Sequence, residues 1–278
     1  PKELTIAGSF TASNKVYDGT TTATIASNSL TLTGLISGDT VSINTGSTTA
    51  TFADRNVADN KSVSLTATAL TGANALNYTI TLTGAPTATA NITPKELTIA
   101  GSFTADNKVY DGNTTAIIAT GSLTLTGLIS GDTVSINTSS TMATFGDRNV
   151  GTAKTVTLTA AQITGANAAN YTITLAGAPT ATANITAKEL TIAGSFTADN
   201  KVYDGTTAAT IASNSLTLSG LIAGDTVSIN TSSTTATFGD RNVGTAKVVT
   251  LTAAPITGAN AANYSITLAG APTTTANI

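Results

Sequence analysis

The sequence predicts an all-β protein of three tandem modules, each a two-layer sandwich, joined stiffly into an extended rod. Three observations predict it. First, the chain is one 93-residue unit written three times: the stretch from Pro1 to Phe10 returns at Pro94 to Phe103 and at Ala187 to Phe196, with no insertion or deletion between copies. A fixed long period of this kind marks an array of like modules. Second, apolar and small polar residues alternate along each unit with period two, as in strands with one buried face. Third, Glu, Lys, Gln, Arg and Met are scarce while Thr fills about a quarter of each unit, which disfavours helix and suits a pleated surface.

The units fall at 1–93, 94–186 and 187–278. The first two differ at 18 of 93 positions. A unit of this length can bury its own core without metal or disulfide, though with a modest margin. In the first unit, Leu4-Thr5-Ile6, Val41-Ser42-Ile43, Val63-Ser64-Leu65 and Tyr78-Thr79-Ile80-Thr81-Leu82 carry the alternation. Asp18-Gly19, Gly34, Ser37-Gly38-Asp39, Ala58-Asp59-Asn60, Thr71-Gly72-Ala73-Asn74 and Gly84-Ala85-Pro86 interrupt it as turns. About seven or eight short strands result, the count and spacing of an immunoglobulin-like sandwich, here without the Cys pair or Trp of antibody domains. A β-solenoid is the weaker alternative, since no sub-period of roughly 20–30 residues runs inside the unit.

The junctions have no linker. Ala88-Thr89-Ala90-Asn91-Ile92-Thr93 runs straight into Pro94-Lys95-Glu96-Leu97, and Asn184-Ile185-Thr186 into Ala187-Lys188-Glu189. Pro94 sets its own φ and biases Thr93 toward extended backbone, so a stiff joint is expected. All twelve aromatic residues fall at four equivalent positions, those of Phe10, Tyr17, Phe52 and Tyr78. They are expected in the core, with Asn77-Tyr78 forming something like a tyrosine corner. The competing use, an exposed platform stacking on sugar rings, needs those rings on the surface.

Composition removes much chemistry. There is no Cys and no His, so disulfides, thiol chemistry and the commonest general base and transition-metal ligand are absent. The net charge is −3, with five acids and four bases in every unit. No basic patch forms, which argues against nucleic acid and anionic membranes. Mean hydropathy is +0.20, yet no apolar run reaches the length of a membrane-spanning helix. The chain is expected to be a piece of a longer polypeptide, with any secretion signal, anchor or tip domain outside it.

The charged residues gather in three recurring motifs. Lys15-Val16-Tyr17-Asp18-Gly19-Thr20 returns around Tyr110, Asp111 and Gly112 and around Tyr203, Asp204 and Gly205. Gly38-Asp39-Thr40 returns at Asp132 and Asp225. Asp54-Arg55-Asn56-Val57 returns at Asp147-Arg148 and at Asp240-Arg241. The structural reading has Asp18 and Asp39 capping tight turns beside Gly19 and Gly38, and Arg55 pairing with one of the carboxylates. By the same reading Tyr110 buries its ring and Asp111 bonds backbone amides in the turn that Gly112 completes. Calcium held by Asp18, Asp39 and Asp54 is the second reading, weakened by scattered single acids matched by bases. Paired-carboxylate catalysis is the third, and it needs two carboxyls about 5–9.5 Å apart in a cleft. A Lys–Asn isopeptide at Lys15 or Lys61 has no distinctive signal. The Thr-x-Thr strings at Thr31, Thr79 and Thr87 are like ice-binding arrays in composition but lack the coil-by-coil repetition of those arrays. No cofactor and no metal are expected.

These motifs carry a resemblance. The unit resembles the YDG repeat domain of large bacterial surface and secreted adhesins of the filamentous-haemagglutinin type. The match runs from Lys-Val-Tyr-Asp-Gly-Thr through Gly-Asp-Thr-Val, Phe-x-Asp-x-Asn-Val at Phe52 to Val57 with Lys61 following, and Gly-Ala-Asn-x-x-Asn-Tyr at Gly72 to Tyr78, to Ile92-Thr93-Pro94-Lys95. It covers all three units. It implies a mostly-β extracellular module in tandem arrays, with no catalytic residue. The expected function is a non-enzymatic stalk that spaces a binding tip from the cell. Rival expectations are repeat avidity for a glycan or host surface and a fibre built by strand addition. The expected partners are neighbouring repeats, other copies of the chain, and glycans.

Overall fold

The structure, a computed structural model, describes residues 1–278. It is all-β; the four helical segments are single 3₁₀ turns at Ala75–Asn77, Ala168–Asn170, Thr231–Ser233 and Ala261–Asn263. Repeat 1 contains β1 (Lys2–Ala12), β2 (Lys15–Val16), β3 (Thr22–Ala23), β4 (Ile25–Thr33), β5 (Ser42–Phe52), β6 (Ala58–Thr71), β7 (Tyr78–Thr81) and β8 (Thr87–Thr93). Repeat 2 contains β9 (Lys95–Ala100), β10 (Phe103–Ala105), β11 (Lys108–Val109), β12 (Thr115–Ala116), β13 (Ile118–Gly121), β14 (Thr124–Thr126), β15 (Ser135–Phe145), β16 (Gly151–Thr164), β17 (Tyr171–Thr174) and β18 (Thr180–Thr186). Repeat 3 contains β19 (Lys188–Ala198), β20 (Ala208–Ala209), β21 (Ile211–Ser219), β22 (Ser228–Ile229), β23 (Thr235–Phe238), β24 (Lys247–Ala253), β25 (Ile256–Thr257), β26 (Tyr264–Thr267) and β27 (Thr273–Ala276).

The chain divides into two compact units whose limits differ from those of the repeats. The first comprises Pro1–Gly101, Leu123–Thr141 and Ala160–Ala178. It contains a three-stranded sheet β4-β1-β7, a five-stranded sheet β2-β8-β6-β5-β3, and the three-stranded sheet β14-β9-β17 of repeat 2. In the first sheet β1 runs antiparallel to β4 and parallel to β7. The alternation expected from the sequence places Leu4 and Ile6 of β1, Val63 and Leu65 of β6, and Ala90 and Ile92 of β8 inside. Ile6 and Phe10 from one sheet pack with Phe52, Val63 and Ile92 from the other in one apolar cluster. Midway along β1 stands Gly8, whose φ of +85° favours glycine and where a Cβ would lie 2.3 Å from the Ser29 carbonyl oxygen.

The second unit comprises Ser102–Ser122, Met142–Thr159 and Pro179–Ile278. It contains the β10-β13 pair, the sheet β11-β18-β16-β15-β12, the sheet β21-β19-β26, the sheet β20-β23-β24-β27 and the β22-β25 pair. Ile192, Phe196, Phe238, Val249 and Leu251 form its repeat-3 core.

Small sequence changes account for departures between repeats. β6 and β16 each run 14 residues, but the matching segment of repeat 3 stops at Ala253 and resumes at Ile256. Pro255 stands there in place of Ala69 and Gln162; it has no N–H for a ladder bond. In repeats 1 and 3 the Asn28 and Asn214 side chains accept the Leu30 and Leu216 N–H at 3.1 Å. Repeat 2 has Gly121 at that position, and its strand breaks between β13 and β14.

Candidate functional site: the joint between successive repeats

The Lys-Val-Tyr-Asp-Gly segment is a turn organised by a lysine. Asp18 Oδ1 accepts the Thr20 N–H and Oγ1–H, each at 2.9 Å. Lys15 Nζ donates to that oxygen at 2.8 Å and to the carbonyls of Thr20 at 2.8 Å and Thr22 at 3.0 Å. The ammonium also lies 5.5 Å from the centre of the Phe52 ring. In repeat 2 Asp111 Oδ1 accepts the Asn113 N–H at 3.1 Å and the Lys108 ammonium at 2.7 Å. In repeat 3 Asp204 Oδ1 accepts the Thr206 N–H at 2.9 Å and the Lys201 ammonium at 2.8 Å. The Lys201 ammonium and the Thr206 donors pull the Asp204 carboxyl down to about 2. At Asp18 partial burial pushes the carboxyl up, but Lys15 and Thr20 outweigh it and hold it below the usual range.

This turn delivers Tyr17 into the following repeat. The Tyr17 N–H donates to the Thr93 carbonyl at 2.8 Å, and the side chain is 1% exposed. Its ring packs edge-to-face on Tyr171, with centroids 5.3 Å apart. Its hydroxyl donates to Asp132 Oδ2 at 2.8 Å, and the Tyr171 hydroxyl donates to the same oxygen at 2.6 Å. The Tyr171 hydroxyl also accepts the Ile129 N–H at 3.1 Å. The Arg55 guanidinium faces the other oxygen, Asp132 Oδ1, at 3.2 Å. Asn170 accepts the Val57 N–H at 2.8 Å and donates to Asn56 Oδ1 at 3.1 Å. Two phenols and one guanidinium thus compensate a carboxylate whose side chain is wholly buried. Burial pushes the Asp132 carboxyl up, but the Tyr171 and Tyr17 hydroxyls and Arg55 together hold it below the usual range. Burial, then the carboxylate of Asp132, pushes the Tyr171 phenol up to about 12.

The second joint repeats these contacts. Tyr110 is 1% exposed and stacks edge-to-face on Tyr264 at 5.4 Å. Tyr110 and Tyr264 donate to Asp225 Oδ2 at 2.7 and 2.6 Å. Arg148 faces Asp225 Oδ1 at 3.2 Å, and Asn263 accepts the Val150 N–H at 2.9 Å. The motif glycine has two reasons to be glycine here. Gly19 and Gly112 have φ of +78° and +79°, and a Cβ on either would come within 2.8 Å and 2.9 Å of the Ile129 and Ile222 side chains of the next repeat. Gly205 shares the φ of +78° but has nothing within 4 Å.

Several residues sit differently from the expectation. In place of capping a turn with its side chain, Asp39 accepts the Tyr78 hydroxyl, which itself accepts the Ile36 N–H at 3.2 Å. The Tyr78 bond to backbone therefore reaches 42 residues upstream, unlike a true tyrosine corner. Arg55 and Arg148 do pair with carboxylates, but with those of the next repeat. Asp54, Asp147 and Asp240 accept the Asn56, Asn149 and Asn242 N–H and pair with Lys61, Lys154 and Lys247. These turns present the arginines. Eleven of the twelve aromatic residues are buried; Tyr203 is 53% exposed. Asp18, Asp39 and Asp54 point to separate partners, and no group of three or more acidic residues is placed to hold a metal ion. The Asn56–Asn170 and Asn149–Asn263 pairs escaped the sequence reading. Their signal was present as the recurring Arg-Asn-Val and Asn-Tyr pairs, without any sign that they meet.

Compared with known families, the chain matches the YDG domain over residues 1–89, 93–182 and 186–275. No curated protein matches it.

Proposed function

Because the chain belongs to the YDG domain family through all three of its repeats, we propose that it is a structural spacer. In this reading it is a non-catalytic stalk segment of a bacterial surface or secreted adhesin of the filamentous-haemagglutinin type, holding a binding tip away from the cell. Each repeat is an immunoglobulin-like sandwich, and the repeats run as an extended rod. One observation carries the reading: the side chains that define the repeat are spent on joining it to the next. Tyr17 and Tyr110 are buried against Asp132 and Asp225, where they serve cohesion and are closed to a ligand. Opening such a joint exposes the motif tyrosine ring and takes one of two phenols and the arginine away from the carboxylate, which resists bending between modules.

Small-angle scattering of the dilute protein tests the proposal. A compact 278-residue globule has a radius of gyration of about 19 Å by the usual scaling, whereas three modules end to end give more than roughly 30 Å. A value near the lower figure overturns the spacer.

A further inference from the structure

Repeat 2 carries a surface cavity of about 300 Å³, lined by its Lys-Val-Tyr-Asp-Gly turn, by Asp106 and Asn107 before it and by Thr115 and Ile117 after it. That volume is at the small end of ligand sites. Repeat 1 has Ser13, Thr20 and Thr24 where the cavity has Asp106, Asn113 and Ile117; repeat 3 keeps Asp199 but has Thr206 and Thr210. The polar groups of the cavity have bonding capacity left over. Lys108 Nζ donates to Asp111 Oδ1 at 2.7 Å and to Asn113 Oδ1 at 2.9 Å. This fixes both side chains and leaves Asp111 Oδ2 and the Asn113 amide hydrogens without a partner. In repeat 1 the Thr20 hydroxyl at that position is already spent, donating to Asp18 and accepting from Lys15. Asn107 Oδ1 accepts the Asn184 N–H at 2.7 Å, and its own amide hydrogens are free. Asp106 is held through its backbone, whose N–H donates to the Ile117 carbonyl at 3.0 Å, and its carboxylate is unpaired. An apolar wall adjoins these groups. The register of β12 on β15, Thr115 opposite Thr144 and Ala116 opposite Ala143, continues to set Ile117 opposite Met142. The two are 67% and 58% exposed, and they replace the pairs Thr24/Thr49 and Thr210/Thr235 of the other repeats.

We propose that this cavity of repeat 2 binds a neutral pyranose, as a free sugar or as the terminal unit of a glycan. Asp106, Asp111, Asn107 and Asn113 take its hydroxyls, and Ile117 and Met142 lie against the C–H face of its ring. A hydroxyl both donates and accepts, so it matches a lining that offers carboxylate oxygens and amide hydrogens together. An ammonium ligand would leave the amide hydrogens unmet and would face the Lys108 charge; an anion would face two carboxylates. The C–H face of the ring covers an aliphatic pair that otherwise stands in water. Asp106, Asn107, Asn113 and Ile117 are all exposed, so the site is shallow and its affinity is in the millimolar range. The binding is additional to spacing and uses none of the residues of the joints.

Met142 is the single methionine of the chain, so an isotopic methyl label on methionine gives one NMR signal, at the edge of the site. The full chain is titrated with the methyl glycosides of glucose, galactose, mannose and N-acetylglucosamine, each up to about 100 mM so that weak binding saturates. At least one glycoside is expected to move the Met142 methyl and Asn113 carboxamide signals along a saturable curve. Ile117→Thr and Asn113→Thr install the residues of the other two repeats at exposed positions. Each is expected to weaken that binding at least about fivefold, with circular dichroism confirming that the variants are folded. No saturable shift with any glycoside, a response to glycerol equal to that of the best glycoside, tighter binding of methylammonium than of any sugar, or variants that bind like wild type overturns the inference. None of these results bears on the dilute scattering measurement, so the spacer reading stands or falls separately.

Discussion

A single tyrosine position has two different energetic meanings along this chain. Tyr110 is buried and bonded to Asp225; Tyr203, with the same flanking residues, is half exposed. Truncating Tyr110 to Ala leaves a cavity and strips one donor from a buried carboxylate. It is expected to cost about 3–5 kcal/mol, as other large aromatic truncations do. Tyr110→Phe keeps the ring and removes only the hydroxyl, and is expected to cost about 1–2 kcal/mol. Tyr203→Ala is expected to stay within about 0.5 kcal/mol of wild type. Urea unfolding of the three variants in parallel checks the ranking. Equal losses at the two positions would mean that the motif tyrosine stabilises its own repeat and owes nothing to the next one.

Among the elements, strand continuity is set by single residues that supply or withhold a hydrogen bond. The interruption between β24 and β25 coincides with Pro255, and the uninterrupted β6 and β16 have Ala69 and Gln162 there. Pro255→Gln is expected to join the two strands and to add the net worth of about one backbone hydrogen bond, roughly 0.5–1.5 kcal/mol. Amide hydrogen exchange reads it directly, since protection around residues 254–256 should rise in the variant. Unchanged exchange would place the cause of the break in the 3₁₀ turn at Thr231–Ser233 rather than in the proline. The paired lysines and aspartates of the turns contribute less than their number suggests. Asp18, Asp54 and their counterparts are about half exposed, and exposed ion pairs are weakened by solvent and by the entropy of holding two long side chains. Their role is to shape the turn that aims Tyr17 and Arg55.

The whole molecule should be insensitive to pH across the middle of the scale and sensitive at both ends. Asp132 and Asp225 are held below their ordinary value of 3.8 in the folded protein. Their contribution is therefore complete above that value and is lost as pH falls through the lower folded one. Tyr171 and Tyr264 are raised from 10.0 to about 12. Their contribution is complete below pH 10 and is lost as pH rises toward 12. With no histidine in the chain, the melting temperature is expected to be flat between about pH 5 and 9. Asp225→Asn should lower the plateau and flatten the acid limb; an acid limb as steep as that of wild type would separate it from the joints. Chelator is expected to leave the melting temperature unchanged, because a metal bound only by the folded state would raise it by mass action. A drop of several degrees, restored by calcium, would reveal a metal site.

The sequence by itself determined the repeat length, the strand periodicity, the turn that Asp18 caps beside Gly19, and the lack of thiol and imidazole chemistry. These follow from composition or from residues close together along the chain, where geometry is local. It determined that Tyr17 and Phe52 are large apolar groups suited to burial, but not against what. Only the tertiary structure decided that Tyr17 meets Asp132 rather than Asp39, and that Arg55 does the same. Asp39 and Asp132 occupy the same position in successive repeats, with the same neighbours Gly and Thr. Near-identical copies offer a side chain near-identical partners, so pattern alone cannot choose between a bond within a repeat and one to the next. The choice is made by the linker-free passage from β8 into β9, which brings the acceptor of repeat 2 against the turn of repeat 1.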